Sequence, residues 1–276
     1  MLNIVVLLKQ TFDTEEKIIV TPTGVSEGDV KLIINPYDEY ALEEALRQRE
    51  QHGGQVRVIT CGPERAEEAL RTALAMGADE AIRLNTSDIP TDDGYAVAAV
   101  LAELIRPLSP DLLLAGLFAV DSGSGSVALQ IAQRLGLPHA SSAVKLDIVQ
   151  ADAAAASGAK PDVSAERFAI VERDVEGDTE TVVIPLPALI TAQQGLNEPR
   201  YPSLPGIMKA KKKPLTRLSA DEIDTGGVAA ALGKRTVRTE LFPPAPRAAG
   251  QRLAGGPAEQ ATELARLLQT VVAPQR

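Results

Sequence analysis

The 276-residue chain has a single cysteine, Cys61, no tryptophan and only 3% aromatic residues. One cysteine excludes an intramolecular disulfide framework. So few rings mean that the core must rest on Ala, Val, Leu and Ile, and that a flavin held by this chain would have few aromatic faces to stack on. The two histidines, His52 and His139, are widely spaced and have no motif linking them to Cys61, so neither a metal site nor a thiol nucleophile is expected. No apolar run reaches the roughly 18 residues of a spanning helix, so any membrane contact is expected to be indirect. No basic region precedes a cleavable apolar stretch at the N-terminus, and the cytoplasm is the expected compartment. Positive charge is also in deficit. A net charge of -9 excludes the broad basic surface that binding to nucleic acid requires.

What is present is an alternation of apolar runs and amphipathic stretches. Leu2 to Leu8 is continuously apolar, as a buried parallel strand is when helices cover both faces. Val56 to Thr60, Ala81 to Leu84 and Asp111 to Ala115 repeat the pattern, separated by helical periodicity over Pro36 to Gln51, Ala66 to Met76 and Tyr95 to Leu108. Asn35 before Pro36 reads as an N-cap with proline at the first helical position, and Gly53, Gly54 and Gly77 read as stops. Strand–helix alternation predicts right-handed crossovers and an α/β fold with a doubly wound, mostly parallel, Rossmann-like sheet. Val144 to Val149, Phe168 to Val171 and Thr181 to Ile184 add strands expected to form an antiparallel edge, with Ala151 to Ser164 as an inserted flexible loop. Residues 1–215 are taken as one α/β domain. Residues 216–276, rich in Pro, Gly and Ala until a last helix from Pro257 to Val272, are taken as an extended C-terminal arm lying on a partner subunit.

In open α/β sheets, chemistry collects at the carboxyl ends of the strands. Leu8 with Lys9, Asn35, Cys61 with Gly62, and the stretch GLFAVDSGSGSV from Gly116 to Val127 fall there. The last opens a helix, so its small residues expose backbone amides to an anion where the helix dipole also favours one. A nucleotide phosphate suits it, although Gly123 and Gly125 could equally serve a tight turn. Cys61 is read as an apolar filler. Asp38, Glu39, Glu43 and Glu44 are read as structural, Asp38 and Glu39 through the dipole of their helix.

Residues 196–213, LNEPRYPSLPGIMKAKKK, combine Pro199, Pro202 and Pro205 with an apolar hook and a cationic run. Each proline fixes its own φ and pushes Glu198, Tyr201 and Leu204 away from helical geometry. The result is a stiff, exposed loop with Leu204 near its middle, followed by a turn opened by Ile207 and Met208 that carries Lys209, Lys211, Lys212 and Lys213. A leucine on such a preordered loop can enter a partner's pocket at small entropic cost. The alternative is that Leu204 and Ile207 pack back on their own domain.

This segment resembles the signature of electron transfer flavoprotein β subunits. NIVVLLKQ at the start, NPYDEYALEEAL at 35–46, TCGPERAEEALRTALAMGADEAIRL at 60–84 and PPAPRAAG at 243–250 are similar to that family in the same order. The resemblance implies a heterodimer in which the α subunit holds most of the redox FAD. Electrons arrive from acyl-CoA or related flavin dehydrogenases and leave towards a membrane quinone oxidoreductase. It further implies a nucleotide in the β subunit, AMP or a second FAD, held by the positions of Leu8, Asn35, Cys61, Asp121, Ser122, Gly123, Ser124, Gly125, Ser126 and Val127. Leu204 matches the residue that anchors in the dehydrogenase. Arg200 and Pro205 match residues that hold the loop's shape, and Asp174 matches an acid that pairs with an arginine on the α subunit's mobile flavin domain. Departures occur at Ser126, Val127 and Ala128, where the family has glutamine, then threonine or valine, then glycine. Ser122 and Gly123 replace acids. Val127 agrees with the electron-bifurcating members, which use NADH and a second FAD. A plain module of the adenine-nucleotide hydrolase type shares the same alternation.

Overall fold

The computed structural model describes every residue except 22, 23, 27, 29, 88, 157–164, 224–234, 248 and 273–276. The first apolar run forms β1 (Leu2–Leu7), whose alternate side chains enter two different cores. Short strands follow: β2 (Gln10–Phe12), β3 (Val20–Thr21), β4 (Gly24–Val25) and β5 (Leu32–Ile34), paired antiparallel as β2 with β5 and β3 with β4. Helix α1 (Pro36–His52) begins at the expected proline and stops at Gly53, whose φ of 69° only glycine adopts readily.

Next come β6 (Gly54–Cys61), α2 (Glu67–Met76), β7 (Glu80–Leu84), α3 (Gly94–Ile105), β8 (Leu112–Gly116) and α4 (Ser126–Leu135). The pairs β1 with β6, β1 with β8 and β6 with β7 are parallel. On one face, Ala41, Leu42, Ala45 and Leu46 of α1 and Leu70, Ala73 and Leu74 of α2 are buried against Ile4, Val6 and Val58. On the other, Val100, Ile105 and Ile131 from α3 and α4 are buried against Val5, Ile59 and Leu113. Each fully buried leucine or isoleucine contributes about 1.5–3 kcal/mol relative to exposure, and this aliphatic double layer is what a ring-poor chain has to work with.

The chain then adds β9 (His139–Gln150), α5 (Ala151–Ala156), β10 (Arg167–Val175) and β11 (Asp178–Pro185), with β9, β10 and β11 antiparallel. It returns as β12 (Ala188–Ala192), parallel to both β8 and β9. After α6 (Leu204–Ala210), β13 (Leu215–Leu218) pairs parallel with β7, and α7 (Pro257–Val272) spans the expected last helix. The nine-stranded order is β11-β10-β9-β12-β8-β1-β6-β7-β13, the doubly wound sheet with its antiparallel edge.

Three features depart from the sequence expectations. Residues 151–156 are helical where a loop was expected, and the rest of that stretch lies outside the described residues. Leu204 is the first residue of α6 although Pro205 follows it, because an N-terminal turn needs no amide from proline. Finally, β13 belongs to the sheet and Ile223 beyond it is buried, so the folded body extends past residue 215 before the exposed arm begins.

Candidate functional site

The strand ends are tied together by the first turn of α1. Leu8 donates its N–H to Ile59 O at 2.9 Å, and the Asn35 amide donates to Lys9 O at 2.8 Å. The Asp38 carboxylate is buried and accepts from Lys9 N at 2.7 Å, Gly116 N at 3.0 Å and Asn35 Nδ2 at 3.0 Å. Asn35 Nδ2 also donates to Phe118 O at 2.9 Å, and its Oδ1 accepts from Val120 N at 3.1 Å. Asn35 is the N-cap residue by position, but its side chain does not cap. It holds the 117–120 segment instead, and Asp38 bridges β1 to β8, which goes beyond the dipole effect expected from its place in the helix.

Burial pushes Asp38 up to about 7 against the donor bonds that oppose the shift. Unfolded, this carboxyl titrates near 3.8, so between those values the folded chain binds more protons. The group's contribution to stability therefore falls as pH rises from about 4 and is fully lost above about 7. Carbon-detected NMR of the Asp38 carboxyl should show a midpoint near 7, and a midpoint near 4 would contradict the shift.

The loop after β8 closes on itself. Ala119 N donates to Ser124 O at 3.0 Å, while Ser122 N and Gly123 N donate to Ala119 O at 3.3 and 2.8 Å. Gly123 has a φ of 68°. The amides of Ser122 and Gly123 are thus taken up inside a tight turn rather than offered to an anion. Gly125 approaches Leu117 O so closely that an added Cβ would lie 2.8 Å from it. It is the N-cap of α4 and gives that helix no side-chain cap, while Ser126 Oγ accepts from Gln130 Nε2 at 3.2 Å. Amides in the first turn of a helix have no intrahelical partner, so an anion placed at the start of α4 would meet free donors there. Lys9 Nζ meets Asp121 at 2.7 Å in a solvent-exposed pair.

Gln10 Nε2, Thr11 Oγ1 and Thr60 Oγ1 are buried without a partner among the described residues, close in sequence to Leu8 and Cys61 at the ends of β1 and β6. Tyr37 and Phe118 set their rings 4.4 Å apart beside the same loop. Burial pushes the Cys61 thiol up to about 12, which keeps it protonated and unsuited to nucleophilic work. Among the described residues no group of three or more His, Cys, Asp or Glu is placed to hold a metal ion.

The second cluster is the 196–213 segment. Asn197 Nδ2 donates to Tyr40 O at 3.0 Å and to Glu44 at 3.1 Å. Arg200 forks onto Glu43 at 2.8 and 2.9 Å and reaches Glu50 at 2.6 Å. Ser203 caps α6 by accepting from Gly206 N at 3.1 Å. Gly206 touches α2 so closely that a Cβ would lie 2.4 Å from Ala75 O. Arg71 donates to Ala210 O at 2.7 Å, and Lys213 Nζ donates to Leu74 O at 3.0 Å, closing the carboxyl end of α2. Lys213 is therefore folded in, whereas Lys209, Lys211 and Lys212 are exposed. The apolar hook points away from the body: Tyr201 is 95% exposed, Leu204 80% and Met208 73%. Asp174 is exposed near the turn between β10 and β11, where Glu176 and Gly177 have positive φ.

Sequence reasoning named the finger and most strand-end residues but missed what fastens them. Glu43 and Glu50 reach Arg200 and Glu44 reaches Asn197 across 150 positions or more, and only the i, i+7 placement of Glu43 and Glu50 on α1 hinted at a shared face.

Comparison with known proteins gives a consistent picture. A family model described as the electron transfer flavoprotein domain matches residues 23–223. The chain is 47% identical over 270 residues to an electron transfer flavoprotein subunit beta of Bacillus subtilis, covering 98% of both chains. It is 39% identical over 272 residues to the protein of that name from Syntrophomonas wolfei, covering 98% of this chain and 97% of the relative. With the mitochondrial subunit of Arabidopsis thaliana it shares 36% identity over 225 residues, covering 80% and 83%. No described helix is long and apolar enough to cross a membrane.

Proposed function

Because this chain belongs to the electron transfer flavoprotein β-subunit family, we propose that it is the scaffold and docking half of a heterodimeric electron shuttle. β subunits pair with α subunits, and here the α subunit binds most of the FAD, which takes up and gives back electrons. The heterodimer receives electrons from flavin dehydrogenases such as acyl-CoA dehydrogenases and passes them towards a membrane quinone oxidoreductase, working in the cytoplasm. The observation that carries this reading is the exposed Leu204 on a braced segment, with Ile207 and Met208 beside it on α6 and three exposed lysines around it. Exposed apolar side chains grouped in this way and rimmed by polar residues mark interaction surfaces.

AMP is the nucleotide assigned to the strand ends. Leu8, Asn35, Cys61 and Asp121 to Val127 line the place, and the start of α4 faces its phosphate. Asp174 meets an arginine of the α subunit from the exposed hairpin, and residues beyond the sheet, with α7, lie along the α subunit. The apolar side chains of Leu264 and Leu268 on α7 are half exposed and suit such a surface. A second reading, a bifurcating flavoprotein with its own FAD and NADH as co-substrate, rests on Val127.

The test is to co-express the chain with its α subunit, denature the purified pair and count what is released. One FAD and one AMP per heterodimer are expected. Two FAD would move the assignment to the bifurcating class, and no nucleotide at all would remove the strand-end site.

A further inference from the structure

We propose that Glu43 and Glu50 of α1 are positioning residues for docking: by clamping Arg200 they set the direction in which Leu204 leaves the fold. The proposal rests on the docking reading above and adds the groups that make the finger stiff.

The prolines alone do not fix the finger. They set φ at positions 199, 202 and 205 and restrict Tyr201 before Pro202, but the backbone angles of Arg200 and Ser203 remain soft. Apolar burial does not fix it either, because Tyr201 and Leu204 are almost wholly in water. The segment therefore needs an anchor on each side of its tip. On the C-terminal side, α6 is seated on α2 through Gly206, with Arg71 and Lys213 closing the contact. On the N-terminal side the anchor is Arg200. Its backbone N–H donates to Glu43 Oε2 at 3.1 Å and its Nε to the same atom at 2.8 Å, while Nη2 donates to Glu43 Oε1 at 2.9 Å. One carboxylate thus fixes both main chain and side chain of one residue.

Glu50, two turns further along α1, closes the outer side of the guanidinium through Nη1 at 2.6 Å and Nη2 at 3.2 Å. The Glu43 side chain is 6% exposed and that of Glu50 52%. With the Arg200 side chain 35% exposed, the pair is only partly buried and weak as a source of stability, but its forked hydrogen bonds are exacting about geometry. A planar guanidinium gripped on two edges permits one orientation, which a lysine ammonium would not enforce. Holding the loop in its docking shape beforehand removes an ordering cost from each encounter.

The experiment uses the co-expressed heterodimer as electron acceptor for an acyl-CoA dehydrogenase reduced by its acyl-CoA. Glu43→Gln is expected to raise KM for the heterodimer about fivefold and leave kcat within about twofold, because order is lost and no reacting group is touched. Combined with Leu204→Ala it should add almost nothing, since a residue acting through Leu204 cannot matter once that side chain is gone. The Arg200 amide should also exchange with solvent faster in Glu43→Gln. Effects of Glu43→Gln and Leu204→Ala that simply add, or an unchanged KM in Glu43→Gln while Leu204→Ala raises it, would overturn the clamp and leave docking intact. A flat KM in Leu204→Ala itself would remove the docking reading and the clamp with it. Glu50→Gln, at an exposed side chain, runs the same cycle with an expected twofold effect, about the size of a partly screened pair, should Glu43→Gln fail to fold.

Discussion

A Leu204→Ala heterodimer should bind its reduced dehydrogenase roughly thirtyfold more weakly, a loss of about 2 kcal/mol, the size typical of a central interface residue. The flavin spectrum and melting temperature should stay as they are. The magnitude follows from what alanine removes: three buried carbons at about 0.8 kcal/mol each once the tip is seated. The absence of a stability effect follows from the free protein, where Leu204 is 80% exposed and supports nothing. Ile207 and Met208 remain beside the vacated position, which keeps the loss to one hot spot rather than the whole contact. Surface plasmon resonance against an immobilised dehydrogenase measures the change directly. Equal affinity of both proteins would show that the finger does not insert.

A large loss of stability is expected from Gly116→Ala. Gly116 ends β8, pairs with Ala192 of β12 and donates its N–H to Asp38. An added Cβ would stand 2.3 Å from Asp38 Oδ1, 2.7 Å from Tyr37 Cβ and 2.8 Å from Asp38 N. The strand cannot yield, because β1 and β12 flank it. The carboxylate cannot yield either, because Lys9 and Asn35 hold its other bonds. Overpacking of this kind costs about 3 kcal/mol, which for a chain of this size lowers the melting temperature by roughly 5 °C. Displacing Asp38 also loosens Asn35 and the 117–120 segment, so the AMP released per heterodimer should fall with it. A melting temperature within about 2 °C of the parent would mean that α1 retreats easily, against the close packing expected of such interiors.

Legibility in the sequence depended on how local the cause was. β1, β6, β7 and β8 were visible as apolar runs and α1 to α3 as periodic stretches, because a face buried by its own element repeats along the chain. β12 was not singled out. Its five residues follow Pro187 and precede the proline-rich finger, so nothing local separates a buried central strand from a short apolar link. β13 was hidden among lysines and prolines and owes its place to the open edge of β7. At the site, a place at the start of α1 accounts for the residue types of Asn35 and Asp38 but not for their bonds to Phe118, Val120 and Gly116. Lys213 looked like the fourth member of a cationic run and is a helix-end cap instead. Leu204 was legible because prolines constrain geometry by themselves, whereas the carboxylates that root it lie about 150 positions away.

The position of β12 has a consequence for how the molecule comes together on the ribosome. It lies between β8 and β9, yet all of β9, β10 and β11 precede it in the chain. Until residue 192 has been made, the parallel half and the antiparallel wing have no backbone ladder in common. The nascent protein must hold a slot open between two finished pieces and admit one short, wholly buried strand to join them. Joining is therefore a late, long-range step, and the unpaired flanks of β8 and β9 are the surfaces most in need of shelter while it is pending.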